Sequence, residues 1–281
     1  MAITVRQLYL ADREKLLSSY SREESESLVR WLMEHYLGVS RKDLLSDKTL
    51  PELPQTYRSA MDQLIAGRPV QYVLGEAPFY GRTFLVNEAV LIPRRETEEL
   101  VYEVVQGQRA PGLRMLDIGT GSGCIPITLA LELLDSEVYA VDISPEALEL
   151  TKRNAQLHGA KVGFQRLDIL KEALPWKDLD VIISNPPYVT EREKDQMSGH
   201  VLLHEPHLAL FVPDRDPLMF YREIAKKALG ALRPGGVLYV EINEAFGLET
   251  VKLMEENGFV NVVLKRDMQG KDRMVMAQLA L

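Results

Sequence analysis

Arg114-Met115-Leu116-Asp117-Ile118-Gly119-Thr120-Gly121-Ser122-Gly123 decides the fold. An apolar run ends in alternate glycines, and a helix-like segment from Cys124 to Leu134 follows. This is strand, tight turn, helix, the arrangement that lets a ligand approach bare backbone N–H groups at a helix start. The spacing is G-x-G-x-G rather than the G-x-G-x-x-G of the dinucleotide fingerprint. Alone, such a turn is equally a plain strand-to-helix connection.

The flanking segments raise its meaning. Glu137 to Val141 reads as the next strand and ends in Asp142, about 20 residues past the glycines, where a carboxylate takes both hydroxyls of a ribose. Ser144 is then a helix N-cap with Pro145 at the first helical position. Val162 to Leu167 is a third strand, ending in Asp168-Ile169. Val181-Ile182-Ile183-Ser184 is a buried strand that Asn185-Pro186-Pro187-Tyr188 must terminate, since consecutive prolines cannot continue a ladder. Each polar group thus sits at the C-terminal end of a successive strand, the end that faces the ligand crevice in an open α/β sheet. Asn185 Oδ1 and the Pro186 carbonyl are two acceptors suited to a planar NH2 group, and Tyr188 offers a flat face beside them.

This ordered set resembles the class I S-adenosylmethionine-dependent methyltransferases, and Asn-Pro-Pro-Tyr narrows it to those acting on planar nitrogens. Further pieces resemble the release factor glutamine methyltransferases (HemK/PrmC): Phe79-Tyr80-Gly81, Ile92-Pro93-Arg94 with Glu96-Thr97-Glu98, Asn154-Ala155, Glu205-Pro206, and Pro234-Gly235-Gly236 followed by Glu241. The resemblance runs from about residue 70 to the C-terminus. It implies S-adenosyl-L-methionine as cofactor, held by Gly119, Thr120, Gly121, Ser122, Gly123, Asp142, Asp168, Ile169, Leu170 and Asn185. It implies Asn185, Pro186 and Tyr188 as catalytic, and Asn185, Pro186, Pro187 and Tyr188 as substrate-binding. The implied reaction is methyl transfer to N5 of the glutamine in the Gly-Gly-Gln motif of a peptide chain release factor. The chain departs from the family pattern at Arg95, where a second proline is usual, at Leu170, through Phe211 to Asp216, and at Ile242-Asn243-Glu244.

The expected architecture is α/β: a Rossmann-like methyltransferase sheet ending in a hairpin of Val260 to Leu264 and Met274 to Gln278, with an antiparallel last strand. Arg233-Pro234-Gly235-Gly236 reads as a turn before strand Val237 to Val240. Residues 1–70 read as a small helical, substrate-recognition domain, with Trp31 and Tyr36 in its core and a capping-box candidate at Ser21 and Glu24. Residues 71–95 read as a β-hairpin linker, with strands at Val70 to Leu74 and Thr83 to Val86, and 96–281 as the cofactor-binding domain.

Composition narrows the alternatives. Hydrophobic content of 46% fits a soluble globular chain, and no apolar run nears the ~18 residues of a membrane helix. No signal peptide is indicated at Met1 to Arg6, and the lone Cys124 favours a reducing, cytoplasmic setting. A net charge of −8 without a dense Lys/Arg cluster disfavours a direct nucleic-acid substrate. A DNA adenine or RNA guanine methyltransferase, and a non-catalytic docking module, remain the alternatives. His200, His204, Glu205 and His207 are close enough in sequence to suggest a metal, but no second ligand cluster accompanies them. They read instead as a loop over the substrate cleft, with no metal expected. A monomer is expected.

Overall fold

The computed structural model describes residues 3–46, 48–108, 110–197 and 199–281. The chain forms two compact units, Met1–Glu76 with Ser198–His204, and Ala77–Met197 with Glu205–Leu281.

The smaller unit is helical. β1 (Ile3–Thr4) pairs with β2 (Thr49–Leu50), and α1 (Val5–Leu16), α2 (Arg22–Leu37), α3 (Gln55–Ile65) and α4 (Val70–Leu74) surround one apolar cluster. Ser21 caps α2 by accepting the Glu24 N–H at 3.2 Å, and Gly38 ends it in the left-handed conformation. Leu28, Val29, Leu32 and Met33 form the buried stripe of α2. Tyr36 packs against the cluster, its hydroxyl donating to the Val73 carbonyl. Trp31, expected in the core, is exposed because it stands on the flank of that stripe rather than within it. Val70–Leu74 is likewise not the expected strand. Pro69 opens a single helical turn there, and Gly75, with φ of 75°, closes it. A five-residue apolar run is too short for its period to tell strand from helix.

The hairpin lies one segment later, in β3 (Glu76–Phe79) and β4 (Arg82–Leu85). Tyr80 and Gly81 turn it with φ of 48° and 72°, both positive as a two-residue hairpin turn requires. The larger unit continues with α5 (Arg95–Gly107), β5 (Arg114–Ile118), α6 (Cys124–Glu132), β6 (Glu137–Asp142), α7 (Pro145–His158), β7 (Val162–Arg166) and β8 (Leu179–Ser184). β9 (Val189–Thr190) precedes α8 (Gly199–His204), which belongs to the smaller unit. α9 (His207–Leu210), β10 (Phe211–Val212), α10 (Met219–Leu229), β11 (Leu232–Glu241), α11 (Gly247–Glu256), β12 (Phe259–Arg266) and β13 (Asp272–Leu279) complete the chain.

The main sheet has seven strands in the order β12-β13-β11-β8-β5-β6-β7. From β7 to β11 the pairings are parallel, while β13 runs antiparallel to both β11 and β12. Alternate strand residues face opposite layers. Leu116, Ile182 and Leu238 pack with α10 and α11 through Tyr221, Ile224 and Met254. Met115, Val181 and Ile183 pack with α5 and α6 through Leu100, Val104 and Ile127. Burial on both faces is why these strands are nearly continuous apolar runs.

Register places the strand ends level. Ile118 lies opposite Ser184 and Val141, and Val240 lies opposite Ser184. The residues that follow, Gly119, Asp142, Asn185 and Glu241, therefore emerge along one edge. Arg233–Gly236 proves to be part of β11 rather than a turn before it, with a register shift between Leu232 and Val237. A Cβ at Gly236 would lie 2.9 Å from the carbonyl oxygens of Arg233 and Leu179, so only glycine fits there. No helix among the described residues is long and apolar enough to cross a membrane.

Candidate active site

At the C-terminal edge of β5, β6 and β8 the larger unit forms an open-mouthed cavity of about 580 Å³, within the range of small-ligand sites. Gly119, Thr120, Gly121, Ser122, Asp142, Asp168, Ile169, Leu170, Asn185, Pro186 and Pro187 all line it. Two expected site residues do not. Gly123 faces Thr151, whose Cγ2 would lie 2.5 Å from an added Cβ. Tyr188 turns toward the core, where its hydroxyl donates to Glu241 Oε1 at 3.0 Å.

The glycine turn is held from below. The Gly119 and Thr120 N–H groups donate to the Val141 carbonyl, and Gly123 N–H to the Thr120 carbonyl. Thr151 Oγ1 donates to the Gly121 carbonyl at 2.8 Å. Asn154 Nδ2 donates to the Ser122 and Leu85 carbonyls, while its Oδ1 accepts the Leu85 N–H, tying the turn to the hairpin. Beneath the turn lies Asp117, wholly buried. Burial pushes its carboxyl up to about 7, reinforced by the Asp142 charge and opposed by the Thr120 hydroxyl. That hydroxyl is close enough to act electrostatically, yet among the described residues neither it nor the carboxylate closes a well-formed hydrogen bond.

The lining fits S-adenosylmethionine. Gly119 and Gly121 have φ of 78° and 54°, and a Cβ on either would meet no protein atom within 4 Å. Their bare backbone opens onto room for a ligand. Asp142 accepts the Gly121 N–H on Oδ2 and the Ser144 N–H on Oδ1, both at 2.9 Å. Each oxygen keeps a lone pair for a vicinal hydroxyl. Burial raises the Asp142 carboxyl and those backbone donors lower it. Ile143, Ile169 and Leu170 add an apolar shelf suited to a planar ring. The carboxylate of Asp168 is held at its own turn by the Leu170 N–H and Lys171, the latter being the main reason its carboxyl stays low.

At the Asn185 end, Asn185 Nδ2 donates to Thr97 Oγ1 at 3.0 Å, and Thr97 Oγ1 donates to Glu241 Oε2 at 2.7 Å. Asn185 Oδ1 has no partner among the described residues. The Glu205 carboxylate, 3% exposed, grips Arg94 at 2.5 Å and the Ile92 N–H at 3.3 Å. The following Pro206, Leu208 and Ala209 form part of the cavity wall. Pro206 separates two short helices, α8 and α9, and the side chain of His200 lies outside the described residues. No group of His, Cys, Asp and Glu arranged for a metal ion occurs among the described residues.

The departures from the family pattern also have places. Arg95 is the first residue of α5, a position where proline loses no helical bond and other residues serve as well. Asn243 Nδ2 donates to the Tyr188 carbonyl and to Glu193, and its Oδ1 accepts the Ala245 N–H. It fastens the segment after β8 where a glycine could not.

A parallel sheet with an antiparallel hairpin at one edge, a glycine turn, an acid on the next strand and a ligand cavity across their ends define a class I S-adenosylmethionine-dependent methyltransferase. A methyltransferase of Pyrococcus furiosus shares the fold, with a TM-score of 0.53 at 14% identity, covering 79% of this chain and 99% of that one. The model of the Methyltransferase small domain family matches residues 98–212, and that of the PrmC N-terminal domain matches 9–75. The release factor glutamine methyltransferase of Flavobacterium psychrophilum is 42% identical over 93% of this chain and 94% of its own length. That of Bacteroides thetaiotaomicron is 43% identical over 94% and 96%. The chain belongs to the release factor glutamine methyltransferase family.

Proposed function

We propose that this chain transfers a methyl group from S-adenosylmethionine to the side-chain nitrogen N5 of a release-factor glutamine, the one in the Gly-Gly-Gln motif. The observation that carries this reading is the Asn185 amide, whose nitrogen is engaged by Thr97 while its oxygen remains available at the cavity. When bound, S-adenosylmethionine supplies a methyl group already activated by its sulfonium. The residues then have to position an amide nitrogen that is a poor nucleophile, because its lone pair is delocalised. Asn185 Oδ1 and the Pro186 carbonyl each accept one NH2 hydrogen and aim the nitrogen. Both acceptors gain strength as positive charge grows on that nitrogen, so they favour the transition state over the ground state. Pro187, Pro206 and Leu208 line the cavity beside that amide and give it an apolar wall. Tyr188 supports the loop through its hydroxyl bond to Glu241.

Gly119, Thr120, Gly121, Ser122, Asp142, Ile169 and Leu170 are assigned to the cofactor, Asp142 holding the ribose hydroxyls. The helical residues 1–70 are assigned to grip of the release factor, and 96–281 to the cofactor and chemistry, with the hairpin region between. A cytoplasmic monomer suits an enzyme of translation factors with one cysteine. The acidic net charge argues against a nucleic-acid target. The test is labelled methyl transfer to purified release factor, to its glutamine-substituted form and to plasmid DNA in parallel. Label only in the first is expected; label in DNA and none in the release factor overturns the substrate.

A further inference from the structure

Glu241, the last residue of β11, is completely buried and does not line the cavity, yet both ends of Asn-Pro-Pro-Tyr hang from it. Its Oε1 accepts the Tyr188 hydroxyl at 3.0 Å, and its Oε2 accepts the Thr97 hydroxyl at 2.7 Å. Thr97, in the first turn of α5 and 3% exposed, in turn accepts Asn185 Nδ2–H at 3.0 Å.

We propose that Thr97 and Glu241 are positioning residues that set the direction of this hydrogen-bond chain and thereby hold Asn185 with its oxygen, not its nitrogen, toward the target amide. The inference rests on the reading of Asn185 Oδ1 as an acceptor for the substrate NH2. Thr97 Oγ1 donates to Glu241 Oε2, so the single proton of Thr97 is committed to Glu241. Thr97 can then only accept from Asn185, and only the NH2 end of that amide can satisfy it. The two ends of an asparagine amide are nearly the same size, so packing alone would not choose between them. If the chain ran the other way, Thr97 would donate to Oδ1, and the Asn185 NH2 would meet the substrate NH2 donor to donor. Burial pushes the Glu241 carboxyl up, and Glu96 adds to this. The Thr97 and Tyr188 hydrogen bonds and the Arg273 charge oppose it. Arg273 is itself fixed by a 3.0 Å ion pair with Asp267.

Glu241→Gln tests direction with little change of shape. The glutamine Oε1 can still accept from Tyr188, while its NH2 donates to Thr97 and frees the Thr97 proton to turn toward Asn185. Thr97→Val removes the hydroxyl, and Thr97→Ser keeps it. With release factor as substrate, Glu241→Gln and Thr97→Val are each expected to lower kcat by about 10²-fold, the scale for one misdirected transition-state hydrogen bond. The KM for release factor and the calorimetric cofactor affinity should stay near the parent's, while Thr97→Val should lower the melting temperature because it leaves a buried carboxylate oxygen without its donor. Thr97→Ser should recover most of the turnover. The double variant should be no slower than the slower single one, because both changes release the same constraint.

A readout independent of substrate is the Asn185 side-chain NH2 signal of ¹⁵N-labelled protein, assigned by its loss in Asn185→Ala. It should be protected from exchange in the parent and Thr97→Ser, and lose protection in Thr97→Val and Glu241→Gln. Unchanged kcat in both variants of an active parent, multiplicative losses in the double variant, or unchanged NH2 protection overturns the proposal. A parent that leaves release factor unmethylated overturns the substrate reading instead, and the NH2 signal then decides the hydrogen-bond direction alone.

Discussion

Asn185 and Asp142 line one cavity, and the proposed roles put them on different molecules, so their substitutions should separate cleanly. Asn185→Ala should cut methyl transfer by about 10²–10³-fold, with cofactor affinity nearly unchanged by calorimetry. Comparable turnover in variant and parent would remove Asn185 from the chemistry. Asp142→Ala should instead weaken cofactor binding by about 1–3 kcal/mol, the range for losing a charged hydrogen-bond partner. Asp117 makes a prediction about pH. Its carboxyl in the folded protein is raised to about 7 from an ordinary 3.8, chiefly by burial, so the native state favours the protonated form. The contribution of this group to stability is complete below the unfolded value, declines as pH rises between the two values, and is lost above about 7. Asp117→Asn has no such titration. Its stability relative to the parent should therefore climb from acid to neutral pH and level off beyond. Parallel pH profiles of chemical denaturation for the two proteins would sink this account.

At the scale of elements, the turn between β5 and α6 divides its glycines between the cavity and the packed core. Gly121 opens onto the cavity and Gly123 onto Thr151 of α7. Gly121→Ala should place a methyl group where the ligand goes, lowering cofactor affinity, and add only the cost of a left-handed alanine, about 1–2 kcal/mol. Gly123→Ala adds that strain to a 2.5 Å clash with Thr151 Cγ2 and a 3.0 Å approach to Ile127 Cδ1. Its cost should be about 2–4 kcal/mol of folding stability. Thermal melts and calorimetry on the pair give the contrast, and equal loss of stability in both would contradict it. The bond from Glu205 to Arg94 and the Ile92 N–H works at the same scale. It fastens the segment entering α5 to the strap that walls the cavity, although the partners are more than a hundred residues apart.

Across the whole molecule, charge distinguishes a protein target from a nucleic acid. The chain carries 33 Lys and Arg against 41 Asp and Glu, for a net charge of −8. An enzyme that docks on phosphates releases counterions and loses affinity steeply with salt, by about 10³–10⁵-fold between 50 and 200 mM for 6–10 phosphate contacts. For a release-factor loop, kcat/KM should change only modestly over that range. Free glutamine should be a far poorer substrate than the folded factor, because in the proposed reading remote contacts supply the binding energy that holds the loop. A steep salt dependence measured with release factor would point to an unrecognised polyanion site.

Local spacing in the sequence was enough to determine the alternation of strand and helix, the glycine turn, the Ser144 cap of α7, and the order in which Asp142, Asp168 and Asn185 leave their strands. These depend on neighbours along the chain: apolar periodicity, prolines that end ladders, and glycines that permit positive φ. Spacing failed at Val70–Leu74, where one apolar turn of helix looks like a short strand, and at Trp31, whose place on the flank of the α2 stripe sets its exposure. Tertiary structure alone decided what surrounds Asn185. Thr97 lies 88 residues from Asn185 and 144 from Glu241, and the three meet because parallel register brings the ends of β8 and β11 level beside the start of α5. The identities of Thr97 and Glu241 were visible in the sequence. The hydrogen bonds that join them were not, because they depend on the fold bringing the Thr97 and Tyr188 hydroxyls to one buried carboxylate.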